Sequence, residues 1–211
     1  MIRPLSLIAP LTVAAWLAGA SLAAASPGLK LDFGCYRSGQ QGTAMVTDFD
    51  PNSDVDVLVS GASIGKSQTD DQGDFSVDFQ APRLRNGAKR LRARVTAQDP
   101  QGLIAEDVFD IVPLTLSMKP AAPAWNRKVT FAMSGFVERS SLYEHITRNG
   151  KLVTTKVFGT PRAPCGSLTR VATALPLKKP APGTYGLQFD FDAGYSKSAS
   201  PAVRTTVRVP G

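Results

Sequence analysis

The feature that most constrains this chain is its punctuation. From Gly42 onward, short segments of alternating apolar and polar residues are separated by Gly, Pro, Asn and Asp at intervals of about ten residues. Such segments are too short for helices, and their period of two puts one face of each in a core and the other in solvent. The pattern predicts an all-β chain folded as a sandwich or barrel, with no convincing helix.

The first clear strand is Val55-Asp56-Val57-Leu58-Val59, opened by the turn Asp50-Pro51-Asn52-Ser53. A short segment around Ile64 and the polar turn Thr69 to Gly73 follow it. In Asp74 to Phe79, the side chains of Phe75, Val77 and Phe79 share one face. Leu91, Ala93 and Val95 are expected inward, with Arg90, Arg92 and Arg94 as a basic stripe outside. Val108 to Val112 closes this unit.

Pro113 starts a second unit on the same plan. Leu114 to Met118 and Val129 to Ser134 read as strands, and Gly135-Phe136 echoes Asp48-Phe49. Asn149-Gly150, between Leu142–Arg148 and Leu152–Phe158, is a strong hairpin signal. Pro182-Gly183-Thr184 leads into Tyr185 to Phe191, whose odd-numbered side chains are all large and apolar, and Val203 to Val209 alternates to the end of the chain.

The run Phe49-Asp50-Pro51-Asn52-Ser53-Asp54-Val55, then Gly61 to Gly65, then Thr69-Asp70-Asp71-Gln72-Gly73-Asp74-Phe75, resembles bacterial immunoglobulin-like repeats of surface and secreted proteins over roughly residues 40 to 112. The resemblance implies an immunoglobulin-like β-sandwich of a kind that serves as spacer, adhesive or accessory module, and because the second unit repeats the plan, two tandem such domains, 26–112 and 113–211, are expected. Tyr185 just after a glycine turn resembles the tyrosine corner of such sandwiches; a plain core tyrosine at a strand start reads equally well. Leu142-Tyr143-Glu144-His145, Arg148-Asn149-Gly150-Lys151, Pro164-Cys165-Gly166 and Pro182-Gly183-Thr184-Tyr185 look like the C-terminal part of uncharacterised secreted actinobacterial proteins, which carries no site across.

Residues 1–25 read as a signal peptide. Arg3 precedes an apolar stretch from Leu5 to Leu22, and Ala23-Ala24-Ala25 before Ser26 offers small residues for cleavage after Ala25. The alternative is an uncleaved anchor. Cys35 follows Asp32-Phe33-Gly34, the wrong sequence for lipid attachment. With no other stretch of spanning length, the mature chain is expected to be secreted or held at the cell surface.

Potential chemistry is sparse. His145 is the only histidine, so multi-histidine metal sites are excluded and any Ser-His-Asp arrangement must use it. It is read as an ordinary strand histidine that faces solvent or bonds locally. No catalytic, cofactor-binding or metal residue is assigned, and the expectation is that the protein is not an enzyme; a hydrolase with a loop-borne site is a minor alternative. The acidic loops Asp48/Asp50/Asp54/Asp56 and Asp70/Asp71/Asp74 lack EF-hand spacing and read as turns, with calcium as the alternative. Cys35 and Cys165 are the only cysteines, one per unit. In an oxidising compartment they would bridge the units, or else stay free or pair between molecules.

Charge is unevenly divided. Residues 26–112 hold nine Lys+Arg against thirteen Asp+Glu, a net of −4, whereas 113–211 hold fourteen against four, a net of +10. The second unit would attract anionic partners such as a cell-wall or extracellular polymer, with Arg148, Lys151, Lys156, Arg162, Arg170, Lys178 and Lys179 as the candidate contact surface. A surface protein is another possible partner. Nucleic acid is disfavoured, because no binding signature is present and the aromatics fall on inward positions. The leading expectation is a non-enzymatic exported binding or spacer protein. The alternative is an assembly subunit with head-to-tail domain contacts.

Overall fold

The computed structural model describes residues 26–138 and 140–211, which form fifteen β-strands and no helix. The expected signal peptide lies outside the described residues.

In the first sandwich, β1 (Gly28–Leu31), β2 (Cys35–Arg37), β3 (Gln41–Thr47), β4 (Asp54–Val59), β5 (Ala62–Gln68), β6 (Phe75–Gln80), β7 (Leu91–Gln98) and β8 (Ile104–Val112) make two sheets, ordered β1-β3-β6 and β2-β8-β7-β4-β5. In the second, β9 (Thr115–Lys119), β10 (Lys128–Ser134), β11 (Leu142–Arg148), β12 (Lys151–Gly159), β13 (Leu168–Thr173), β14 (Gly183–Asp190) and β15 (Val203–Val209) make sheets β9-β10-β13 and β12-β11-β14-β15. The two plans coincide strand for strand once β2 is set aside as an extra strand laid parallel to β8. This strand order makes both halves immunoglobulin-like β-sandwiches.

Alternation builds each core. Val55, Val57, Val59, Val95 and Ile111 face Ala44, Val46 and Phe79 across the first sandwich. Tyr36 lies edge-on to Phe79 and Phe109 at 5.3 and 5.0 Å. The second core joins Val129, Phe131 and Met133 to Ile146, Leu187, Phe189 and Val207. Leu91 departs from expectation at 42% exposed, because it begins β7 at the rim of the sheet. Strands β1, β2, β3 and β13 were not named as strands from the sequence.

One small device recurs in both halves. The Phe49 N–H donates to the Gly73 carbonyl at 3.1 Å, and the Phe136 N–H to the Gly166 carbonyl at 3.2 Å. Both glycines have positive φ, and a Cβ on either would sit 1.9 Å from the Phe49 oxygen or 1.8 Å from the Phe136 oxygen. The loop crossing therefore requires glycine at both places.

The halves meet where Cys35 of β2 is disulfide-bonded to Cys165, with Cα atoms 5.1 Å apart. Val112 and Val137 pack around the bridge. Beside it Arg37 Nη1 donates to Glu138 Oε2 at 2.6 Å, from a guanidinium with its side chain 17% exposed.

Candidate functional site

Strand register decides where the charges go. In the second sandwich β9 starts at the joint, since Thr115 pairs with Ser134, and the loops carrying Glu138 and Cys165 lie at that same end. The opposite, distal end collects the far strand termini. Lys119 closes β9, Arg127 and Lys128 open β10, Arg148 and Lys151 flank the hairpin turn, Lys178 and Lys179 lie in the loop before β14, and Arg208 pairs with Thr184. All are exposed except Arg148, which is half-buried over the Tyr185 ring at 5.6 Å and donates to the Pro182 carbonyl at 2.8 Å. The acidic residues of this half lie elsewhere: Glu138 at the joint, Glu144 in mid-strand, and Asp190 and Asp192 at the joint end of β14.

Of the expected contact residues, Arg148, Lys151, Lys178 and Lys179 are thus brought to one end. Lys156 and Arg170 are not. Lys156 Nζ lies 2.8 Å from Glu144 Oε2, and Arg170 covers the Phe158 ring at 5.2 Å while donating to the Phe158 carbonyl. Arg162 sits near Cys165 at the joint end, bridged to Ser167. Lys119, Arg127, Lys128 and Arg208 were missed, since only the antiparallel register shows that residues so far apart in sequence share an end.

The first sandwich has the reverse layout. Its free end, where Gly28 pairs with Thr47, carries the loops 48–53 and 69–74 and the turn at 99–103. Asp48, Asp50, Asp54, Asp70, Asp71, Asp74 and Asp99 all lie there. Several are turn caps: Asp70 Oδ1 accepts from the N–H groups of Gln72 and Asp74, both at 2.9 Å, and Asp74 Oδ1 accepts from Asp48 N–H at 3.1 Å. Among the described residues no group of three or more His, Cys, Asp or Glu is placed to hold a metal. Beside these loops a recess of about 390 Å³ is lined by Asp54, Asp56, Leu58, Lys66, Gln98, Asp99 and Pro100. Asp99 Oδ1 accepts from Leu103 N–H at 2.8 Å, but its buried Oδ2 has no hydrogen-bond partner.

The stripe Arg90, Arg92 and Arg94 faces outward as expected, and two of its members are answered across the sheet. Arg90 Nε donates to Asp110 Oδ1 at 2.8 Å, a bond that holds the Asp110 carboxyl below its usual range, and Arg94 pairs with Glu106 at 2.9 Å.

His145 does not face solvent: of the two expected placements the structure shows the bonded one, with the ring fully buried. Its Nδ1 lies 2.8 Å from Thr155 Oγ1 and its Nε2 3.1 Å from Asp190 Oδ1. Gln188 donates to Asp190 Oδ2 at 2.6 Å and to the Ser196 carbonyl at 2.8 Å, and it accepts from Arg204 Nε at 2.8 Å. Segment 191–202 lies over this outer face of the sheet, with the Tyr195 ring 5.7 Å from the imidazole. A hydroxyl–imidazole–carboxylate chain suggests an activated nucleophile. Yet the neighbouring recess of about 180 Å³ is lined by Thr147, Gln188, Tyr195, Arg204 and Thr206, and neither His145 nor Thr155 reaches it. The network anchors the loop to the sheet.

Glu144 points the other way, into the core, and burial raises its carboxyl above the usual range against the opposing pull of Lys156. The Tyr185 hydroxyl donates to the Ala181 carbonyl at 3.1 Å, four residues upstream, which is the tyrosine-corner bond.

No family model matches the chain, and no curated protein matches it. Solved structures similar to it include fibronectin(III)-like modules of Clostridium thermocellum CbhA (13% identity, 86% of this chain and 94% of that one, TM-score 0.29). The human OSCAR ligand-binding domain is similar at 14% identity over 87% and 96%, with a TM-score of 0.33. A Bacteroides ovatus mixed-linkage glucan utilization locus protein, SGBP-B, in complex with a mixed-linkage heptasaccharide, is similar at 18% identity over 89% and 46%, with a TM-score of 0.27. Strand order alone defines the class, a tandem pair of immunoglobulin-like sandwiches. Among the described residues no helix is long and apolar enough to cross a membrane.

Proposed function

We propose that this is a non-enzymatic exported binding or spacer protein, built of units 26–112 and 113–211, whose distal cationic end contacts anionic extracellular or cell-wall polymers. One observation carries the reading: register gathers Lys119, Arg127, Lys128, Lys151, Lys178, Lys179 and Arg208 at one exposed end with no acidic residue among them. A field of one sign attracts polyanions over roughly a Debye length and is screened by salt. A disulfide between the only two cysteines suits an oxidising compartment, in keeping with cleavage after Ala25 and release to the exterior. The turn sequences of the first unit keep bacterial immunoglobulin-like repeats as the family we favour.

The test is retention of the mature protein on immobilised heparin as a model polyanion. Salt should elute it well below about 0.5 M. Lys178→Glu/Lys179→Glu/Arg208→Glu should abolish retention, whereas Arg162→Glu, at the other end of the same sandwich, should change it little. Equal loss in both variants would point to diffuse net charge and defeat the reading.

A further inference from the structure

The two sandwiches run the same way along the strands: the first gathers acids at the end bearing its first inter-sheet loop, and the second gathers cations at the end opposite its own. In the first, Asp50, Asp54 and Asp71 lie at the free end, while Arg37 and loop 81–90 with Arg83, Arg85 and Lys89 lie toward the joint. At the joint Arg37 of the first sandwich meets Glu138 of the second as a half-buried ion pair. This leaves two unmatched ends, acidic on the first sandwich and basic on the second.

We infer that copies of this chain assemble head to tail, the distal cationic end of one docking on the free acidic end of the next, with a lysine or arginine side chain entering the recess of Asp54, Asp56 and Asp99. Charge complementarity is the first support. The second is Asp99, itself only 3% exposed, which lines the recess and whose buried Oδ2 has no hydrogen-bond donor among the described residues. An unanswered buried carboxylate is costly, and a cation entering the recess beside it offsets that cost through its charge. Lys66 is the one cation lining the recess, against three carboxylates. Because the joining surfaces differ, the contact is heterologous and propagates into rings or filaments. The inference shares the distal cations with the polymer-binding reading but needs no polymer.

Sedimentation velocity on the mature protein across a concentration series tests it. At low salt the weight-average mass should climb to at least about twice the monomer, and it should return to the monomer at about 0.5 M salt. Asp50→Lys/Asp54→Lys/Asp71→Lys, all at exposed loop or strand-start positions, should stay monomeric while still binding heparin. Lys178→Glu/Lys179→Glu/Arg208→Glu should lose both properties. Mixing the two variants should restore association, because the reversed ends are again complementary. A wild-type monomer at every concentration, or association that survives the aspartate reversals, overturns the inference, whatever heparin retention shows. Heparin failure with assembly intact would overturn the polymer reading alone.

Discussion

The outer faces of the two larger sheets differ in a way that their shared strand plan does not foretell. In the first sandwich the turn after β7 is short, Asp99 to Leu103, and the face of β7 and β8 stays open with Arg90–Asp110 and Arg94–Glu106 side by side in solvent. In the second, the corresponding connection runs from Phe191 to Ala202 and covers the sheet, so that His145, Gln188 and Asp190 are buried. Polar residues at comparable places thus have opposite energetic weight. Exposed ion pairs contribute little, whereas a buried polar network is stabilising only while every member keeps its partners.

That contrast can be broken at several points. The largest effect is expected from Cys35→Ser/Cys165→Ser. Opening a bridge across 130 residues should lower stability by about 2–5 kcal/mol and separate the melting of the two sandwiches, as followed by calorimetry. A single unchanged transition would show that the joint is held by packing alone.

Asp190→Ala comes next. It strips acceptors from His145, Gln188 and the Asp192 N–H at once, and should cost about 3 kcal/mol in denaturant unfolding. Arg94→Ala on the open face should cost less than about 1 kcal/mol. Similar losses in the two variants would erase the distinction between the faces.

The smallest effect concerns Glu144. Its folded pKa is raised by burial, so the folded state holds the proton more tightly than the unfolded chain does. The associated stability is present below the unfolded value and is lost as pH rises through the folded one. Glu144→Gln should therefore stabilise the protein modestly at neutral pH, and the gain should vanish below the ordinary glutamate value of about 4.3. A gain that persists at low pH would assign it to packing.

Several strands were plain in the sequence because they bury one face. Val55 to Val59, Asp74 to Phe79 and Tyr185 to Phe189 alternate cleanly, and each supplies core side chains. Of the strands that escaped notice, β3 alternates but opens its inward face with Gly42 and Ala44, too small to mark it, and the others lack the signal. Strand β13 is an edge strand whose Val171 is 63% exposed, and β2 has three residues and pairs only with β8. The hairpin at Asn149-Gly150 was readable because its turn demands positive φ, which both residues adopt. The contact surface was legible as a charge excess but not as a place, since Lys119 and Arg208 are neighbours only through register.

By itself the sequence determined the all-β class, the two-unit plan and the opposite net charges, because period-two alternation, turn residues and ionisable groups are local properties. Only the tertiary structure decided that Cys35 meets Cys165, that His145 is sealed beneath Tyr195, and that acids of the first sandwich and cations of the second gather at the unjoined ends. Those depend on loop paths and strand register, which bring together residues that no local pattern relates.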